Sequence, residues 1–270
     1  MSKARLSVSS WSLHKSLGSP AFYGVGEAIP IENHNRGRLS LLELPQAVAD
    51  FGISTLELVH FHLPSRDAAY LADLKAALSD ANVELFSLLI DDGDIVHSAN
   101  GERDTAWIEG WLEVAAKLGS KSARVIAGKQ PPTPETLSLS ISRLGELAAK
   151  AEASGLRLMT ENWFETTSTV EAVTEVMERL RGRVGLCLDF GNWKGADKYE
   201  RFEHVVKYAE SCHTKAFFSE GVIDKEDYER CLTLTQKANF SGPHTLIFDS
   251  PEPSDWEGLE VERTIVQRYL

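Results

Sequence analysis

A single α/β domain folded as a (β/α)8 TIM barrel over residues 1–270 is the fold class this sequence predicts, from three observations. Short runs rich in Val, Ile, Leu, Thr and Phe recur at roughly 25 to 40-residue spacing, the rhythm of repeated strand and helix units in a parallel sheet. The segments between them carry helical periodicity with start and stop signals. Eight strands each followed by a helix close most simply into a barrel, because right-handed crossovers leave few other arrangements. At 270 residues and 43% hydrophobic the chain can bury one large core, and no linker or low-complexity tract divides it.

In order, the strands fall near Arg5 to Ser12, Thr55 to His62, Glu84 to Ile90, Ser122 to Ala127, Leu156 to Asn162, Val184 to Phe190, Cys212 to Phe217 and Thr245 to Asp249. The first helix is LLELPQAVADF. Ser65 precedes RDAAYLADLKAAL, Asp104 precedes AWIEGWLEVAAKLG, and Thr133-Pro134-Glu135 opens a long helix that closes at Gly155. Thr169, Asp224 and Ser254 stand as N-caps of the last three helical segments. A doubly wound open sheet competes with the barrel, but SVSSWSLHKSLG after the first strand offers no GxGxxG turn. The extended loop after strand 1, Lys15 to Ser40, is too long for an ordinary strand-to-helix connection. With Tyr23, His34, several glycines and two prolines, it reads equally as a lid over the mouth or as an excursion packed on the rim.

A formal net charge of −12 makes the surface repel polyanions, so nucleic acid and anionic membranes are not expected partners. The three cysteines, Cys187, Cys212 and Cys231, form no CxxC pair and read as small buried thiols in a reducing compartment. MSKARLSVSSWSLH lacks the apolar stretch of a signal peptide and no apolar run approaches spanning length, which together predict a cytoplasmic protein. A homo-oligomer is compatible with the sequence.

The chemistry concentrates in the second half. Four successive strands end in Glu161, Asp189, His213 and Asp249, and side chains at equivalent ends of parallel strands meet at one mouth. Each alone reads as well as a helix cap or loop hydrogen-bonder; together, carboxylates and an imidazole suit one divalent cation, Mn, Mg, Co or Zn. Strand alternation permits this, since His213 and Lys215 share a face, as do Thr245, Ile247 and Asp249. On the first strand Ser7, Ser9 and Trp11 face the bore, and Trp11 is a candidate substrate contact.

The motifs TENW, CLDFGN and CHTK, with LELVHFH on the second strand, resemble the xylose isomerase-like TIM-barrel superfamily of sugar phosphate isomerases and epimerases. That superfamily also includes tagatose-type epimerases, inosose and dehydroshikimate dehydratases and abasic-site endonucleases. The resemblance implies Glu161, Asp189 and His213 as metal ligands and Lys215 as a substrate contact. Two positions depart from the pattern. Asn192 stands where relatives often carry His, and Ile247 stands where the last strand usually supplies Glu, with Asp249 two residues later on the same face. Asp249 is taken as the fourth ligand, the alternative being three ligands completed by water.

Among the remaining candidates, Glu57 and the pair His60 and His62 fall on opposite faces of a regular strand, and His62 is the expected substrate contact. Arg124 reads as a donor to a hydroxyl or phosphate, or as a buried partner of Glu161 or Asp189. Asn192 is a further substrate-binding candidate. Asp91, Asp92 and Asp94 lack the calcium-loop pattern and read as rim hydrogen-bonders. Trp163 and Trp193 suit either stacking on a sugar or packing at the rim. The expected activity is that of a metal-dependent isomerase or epimerase acting on a small sugar or ketose in carbohydrate metabolism. It would work by proton abstraction and an enediolate, with Glu161 and Asp249 as acid/base groups. A dehydratase is the alternative, since the same enediolate can expel a hydroxyl, and a non-catalytic sugar-binding barrel is the next. Abasic-site endonuclease activity is disfavoured by the charge, by Asn192 and by the scarcity of strand-end histidines.

Overall fold

The computed structural model describes residues 4–30, 34 and 36–270. Parallel strands close into a barrel in the order β1-β10-β7-β6-β5-β4-β3-β2. They are β1 (Arg5–Ser9), β2 (Thr55–Val59), β3 (Glu84–Ile90), β4 (Ser122–Val125), β5 (Arg157–Glu161), β6 (Gly185–Asp189), β7 (Ala209–Lys215) and β10 (Pro243–Ile247). A two-stranded antiparallel flap, β8 (Phe218–Ser219) with β9 (Val222–Ile223), stands outside the barrel. The helices are α1 (Leu44–Asp50), α2 (Ala68–Asp80), α3 (Gly101–Leu118), α4 (Pro134–Ala153), α5 (Val170–Leu180), α6 (Lys198–Val205), α7 (Lys225–Lys237) and α8 (Asp255–Val266).

Capping chemistry sets most helix starts. The side chains of Thr133, Thr169 and Asp224 accept backbone N–H bonds from Thr136, Ala172 and Asp227, and Ser254 with Glu257 forms a capping box. Three starts differ from expectation. The first helix, α1, begins at Leu44 and not at Leu41. Helix α3 begins at Gly101, one turn before Asp104, whose buried carboxylate is taken by the Asp94 N–H and Arg103. Helix α2 begins after Asp67, and Ser65 Oγ accepts the Asp67 N–H instead of capping.

Alternation along the strands sends one side-chain set to the helices and the other to the bore. Val8, Leu56, Leu58, Leu88, Leu188 and Leu246 are fully or nearly fully buried in the outer core. Ser7, Glu57, Ser87 and Thr245, all at 0% exposure, fill the bore beneath the mouth. Strands β1, β2, β4, β7 and β10 stop two or three residues earlier than the sequence suggests. β1 and β2 turn into 3-10 helices at Ser10–Leu13 and His60–His62, tied by the Val59 N–H donating to Ser10 Oγ at 2.9 Å. β10 ends at Ile247.

Of the Lys15 to Ser40 segment, residues 31–33 and 35 lie outside the described residues. The described part is packed on the rim: Leu17 and Tyr23 are buried, and Tyr23 Oη donates to the His60 carbonyl at 3.1 Å. Its crossing point needs glycine, because a Cβ on Gly18, whose φ is +90°, would sit 2.4 Å from the Gly37 nitrogen.

Candidate metal and substrate site

Glu161 and Asp189 are the last residues of β5 and β6, and His213 stands two residues before the end of β7. All three are 4% exposed. His213 Nδ1 lies 3.6 Å from Glu161 Oε2 and 3.6 Å from Asp189 Oδ2. Its other ring nitrogen, Nε2, lies 2.8 Å from Glu57 Oε2 across the bore. With Glu57 accepting the Nε2 proton, the Nδ1 lone pair faces the two carboxylates, the orientation a metal-ligating histidine needs. Burial opposes a charge on this imidazole, but the Glu57 and Glu161 carboxylates around it outweigh that and raise its pKa well above the ordinary range when no metal is bound.

Each carboxylate is aimed by its own supports. Asp189 Oδ1 accepts the backbone N–H groups of Gly191 at 2.6 Å and Asn192 at 3.0 Å, while Asn162 ties the strand end through the Asp189 N–H and carbonyl. Glu161 Oε1 accepts from Asn192 Nδ2 at 2.7 Å. Glu161 Oε2 lies 3.0 Å from Arg124 Nε without hydrogen-bond alignment, and Arg124 Nη2 lies 2.6 Å from Asp91 Oδ1. Burial pushes the Glu161 carboxyl up, and Arg124 and His213 offset this only in part. Arg124 is itself buried, yet Asp91 and Glu161 raise its pKa, so the guanidinium stays charged. The guanidinium carbon sits 5.3 Å from the ring centroid of Trp163.

These groups line an inner cavity of about 120 Å³ at the barrel mouth. Trp11, Arg124, Glu161, Trp163, Asp189, Asn192, His213 and Lys215 all line the inner cavity, so most candidate residues are brought together.

Two expectations need correction, and Trp193 takes the second of its two readings. Asp249 does not reach the inner cavity: β10 ends at Ile247, whose side chain lines it, and the Asp249 carboxylate, 43% exposed, pairs with Lys215 Nζ at 2.6 Å on the rim. His62 does not line the cavity either. The 3-10 turn carries it inward, where Nδ1 meets Ser10 Oγ at 2.8 Å and Nε2 meets His14 Nδ1 at 3.0 Å. Trp193, 3% exposed, packs at the rim, stacked on Phe202 at 5.8 Å and covered by the Arg201 guanidinium at 4.2 Å.

Two residues were harder to foresee. Glu57 faces inward, as the alternation allowed, but its partner His213 is 156 positions away and only closure of the barrel reveals it. Cys187, two residues before Asp189 on the same face, joins Glu161 and His213 in a trio whose donor atoms lie within 4.8 Å of one another. Burial raises the Cys187 pKa and keeps the thiol protonated. Asp91 also lines the cavity, held by Arg124.

The family model described as "Xylose isomerase-like TIM barrel" matches residues 45–258. Among solved structures, an L-ribulose 3-epimerase superposes with a TM-score of 0.74 at 17% identity, covering 99% of this chain and 94% of that one. A xylose isomerase-like TIM barrel protein from Mycobacterium smegmatis in complex with magnesium has a TM-score of 0.71 at 17% identity, covering 98% and 96%. A D-psicose 3-epimerase in the presence of D-fructose has a TM-score of 0.69 at 12% identity, covering 97% and 99%. At these identities the likeness shows the fold. No curated protein matches the sequence. No helix among the described residues is long and apolar enough to cross a membrane.

Proposed function

This chain belongs to the xylose isomerase-like TIM barrel family, and from that premise we propose that its mouth binds one divalent cation and a small sugar or ketose, moving a carbon-bound proton as an isomerase or epimerase. The observation that supports this best is the buried convergence of Glu161, Asp189 and His213, with Glu57 holding the far side of the imidazole.

The donor set fits a cation. Glu161 Oε2 is buried without a hydrogen-bond partner, and two carboxylates with one imidazole suit Mg, Mn, Co or Zn while leaving positions for substrate oxygens. Glu161, Asp189 and His213 would hold the ion, with Ile247 contributing no fourth donor. A bound divalent cation supplies charge stabilisation to the adjacent oxygens of a hydroxy-ketone.

The chain's own residues do the rest. Arg124 Nη1, buried and without a hydrogen-bond partner, donates to a substrate oxygen from the β4 side. Trp11 and Trp163 present faces to the C–H surface of the sugar and exclude water from the reacting carbon. Glu161 serves as ligand and base, with Asn192 fixing one of its oxygens. Lys215, held by Asp249, lines the same cavity and is the second proton-bearing group for return of the proton.

The test is solvent exchange. Protein loaded separately with Mg, Mn, Co or Zn, its loading verified by elemental analysis, is incubated in deuterium oxide with a panel of ketoses and inososes. Deuterium should enter at carbon beside the carbonyl, and Glu161→Gln should slow this by about 10²–10⁴-fold. No exchange across the panel rejects the reading, and loss of water from the substrate marks the elimination reaction instead.

A further inference from the structure

Beside the inner cavity of about 120 Å³ lies an outer groove of about 540 Å³, and the two share Trp11, Asp91 and Trp163 as a common wall. Small-molecule sites usually enclose about 300–1,000 Å³, so the inner cavity alone is small for a substrate and the groove is its natural continuation. Resting on the isomerase or epimerase reading of the inner cavity, we infer that this groove seats a second, neutral sugar ring, so that the substrate is a glycosylated ketose.

The groove exposes aromatic faces that the fold does not need. Phe22 is 61% exposed and Phe164 37% exposed, although large apolar side chains gain by burial. Phe22 is held in place by stacking on His14 at 5.4 Å and by an edge contact with Phe61 at 4.6 Å. Phe164 lies 4.3 Å from Trp163 and takes φ +58° with ψ −179°, a backbone region that side-chain-bearing residues rarely occupy. Strain retained at one exposed aromatic beside the proposed reaction centre points to a use for the ring's position.

The polar lining selects the ring chemistry. Glu27 and Asp92 accept the Gly24 and Val25 N–H groups at 2.8 Å, and ionised carboxylates retain further lone pairs for sugar hydroxyls. Among the described residues the lining holds Glu27, Asp91 and Asp92 but no lysine or arginine; behind it Arg124 pairs with Asp91 and Lys129 with Asp92. A phosphate there would have to displace Asp91 from Arg124 and Asp92 from Lys129, whereas a neutral ring leaves both pairs intact and offers C–H faces to the aromatics and hydroxyls to the carboxylates.

The test is calorimetric titration of magnesium-loaded protein with D-fructose, D-fructose 6-phosphate and fructose glycosylated at O3, O4 or O6 (turanose, lactulose, maltulose and isomaltulose). At least one glycosyl ketose should bind about tenfold tighter than fructose, and fructose 6-phosphate should show no such gain. Phe22→Ser and Phe164→Gly should each abolish the gain while fructose binding stays within about twofold. The first removes an exposed ring and the second places glycine where φ is positive, so both variants should keep the wild-type melting temperature. The inference is overturned if no glycosyl ketose binds tighter than fructose, if fructose 6-phosphate binds tightest, or if the gain survives both substitutions. Deuterium exchange read in the same samples separates the two proposals. Exchange without the gain removes the groove and leaves the reaction, and the gain without exchange does the reverse.

Discussion

The mouth of the barrel has two sides built on opposite principles. From β4 to β7 it is a charged network, with Arg124, Glu161, Asp189, Asn192 and His213 each held by at least one polar partner. Around β1 and β2 it is a ring stack of Trp11, His14, Phe22, Phe61 and His62, where the polar atoms answer one another and no carboxylate is among them. The two buried histidines show the consequence. His213, among carboxylates, has its pKa raised well above the ordinary value, while His62 has its own lowered well below, by burial and then by His14 and His34. In the metal-free site the carboxylates favour a proton on His213, whereas burial keeps one off His62, and the neighbours decide which.

The sharpest way to break the charged side is to remove its buried guanidinium. Arg124→Met leaves Asp91 and Glu161 buried without their partner, and loss of one member of a buried ion network costs about 3–5 kcal/mol. Urea denaturation of the metal-free protein checks this; a change below about 1 kcal/mol would mean the network is solvated and the contrast false. Next in size is Glu57→Gln, which keeps the size of the side chain but removes the charge behind His213. Loss of such an outer partner lowers metal affinity by about 10–100-fold, measurable by competition with a chromogenic chelator.

The contrast also explains what could be read in advance. Strand spacing and capping residues located the barrel, because Thr133, Thr169, Asp224 and Ser254 act within one turn of themselves. Glu161, Asp189 and His213 were legible because regular strands carry them to the mouth. His62 and Asp249 were not, since alternation holds only while the strand does, and β2 stops at Val59 and β10 at Ile247. The reasons for both stops are long-range: Ser10 Oγ takes the Val59 N–H, and Ser12 Oγ takes the Phe248 N–H at 2.9 Å from 236 positions away. Glu57 facing His213 belongs to the same class, a contact made only by closing the sheet.

The neutral side can be broken with acid. Because the folded-state pKa of His62 is depressed, its contribution is fully present above the unfolded value near 6.5 and is lost as pH falls through that value towards the folded one. Below about pH 6 each such histidine makes stability fall by up to ~1.4 kcal/mol per pH unit. His62→Gln should therefore flatten the loss of stability between about pH 6 and pH 5 by roughly one proton's worth, whatever it does to stability at neutral pH. An unchanged slope in denaturation series would show that His62 is not held neutral by its surroundings.

The smallest expected effect is at Asp249, where the two sides meet. Its pair with Lys215 is largely solvent-exposed, with side chains at 32% and 43% exposure, and pairs of that kind contribute about 0–1 kcal/mol. Asp249→Asn should leave the stability within that range and the affinity for magnesium or manganese within about twofold, because no Asp249 oxygen reaches the inner cavity. A metal ligand would behave differently, and its loss would weaken binding by more than removal of the outer partner Glu57 does. Chelator competition on Asp249→Asn and Glu57→Gln side by side therefore decides whether β10 supplies the site with a carboxylate or, through Ile247, only with a wall. If the Asp249 variant proves the weaker binder, the charged side extends past β7 and the division of the mouth must be redrawn.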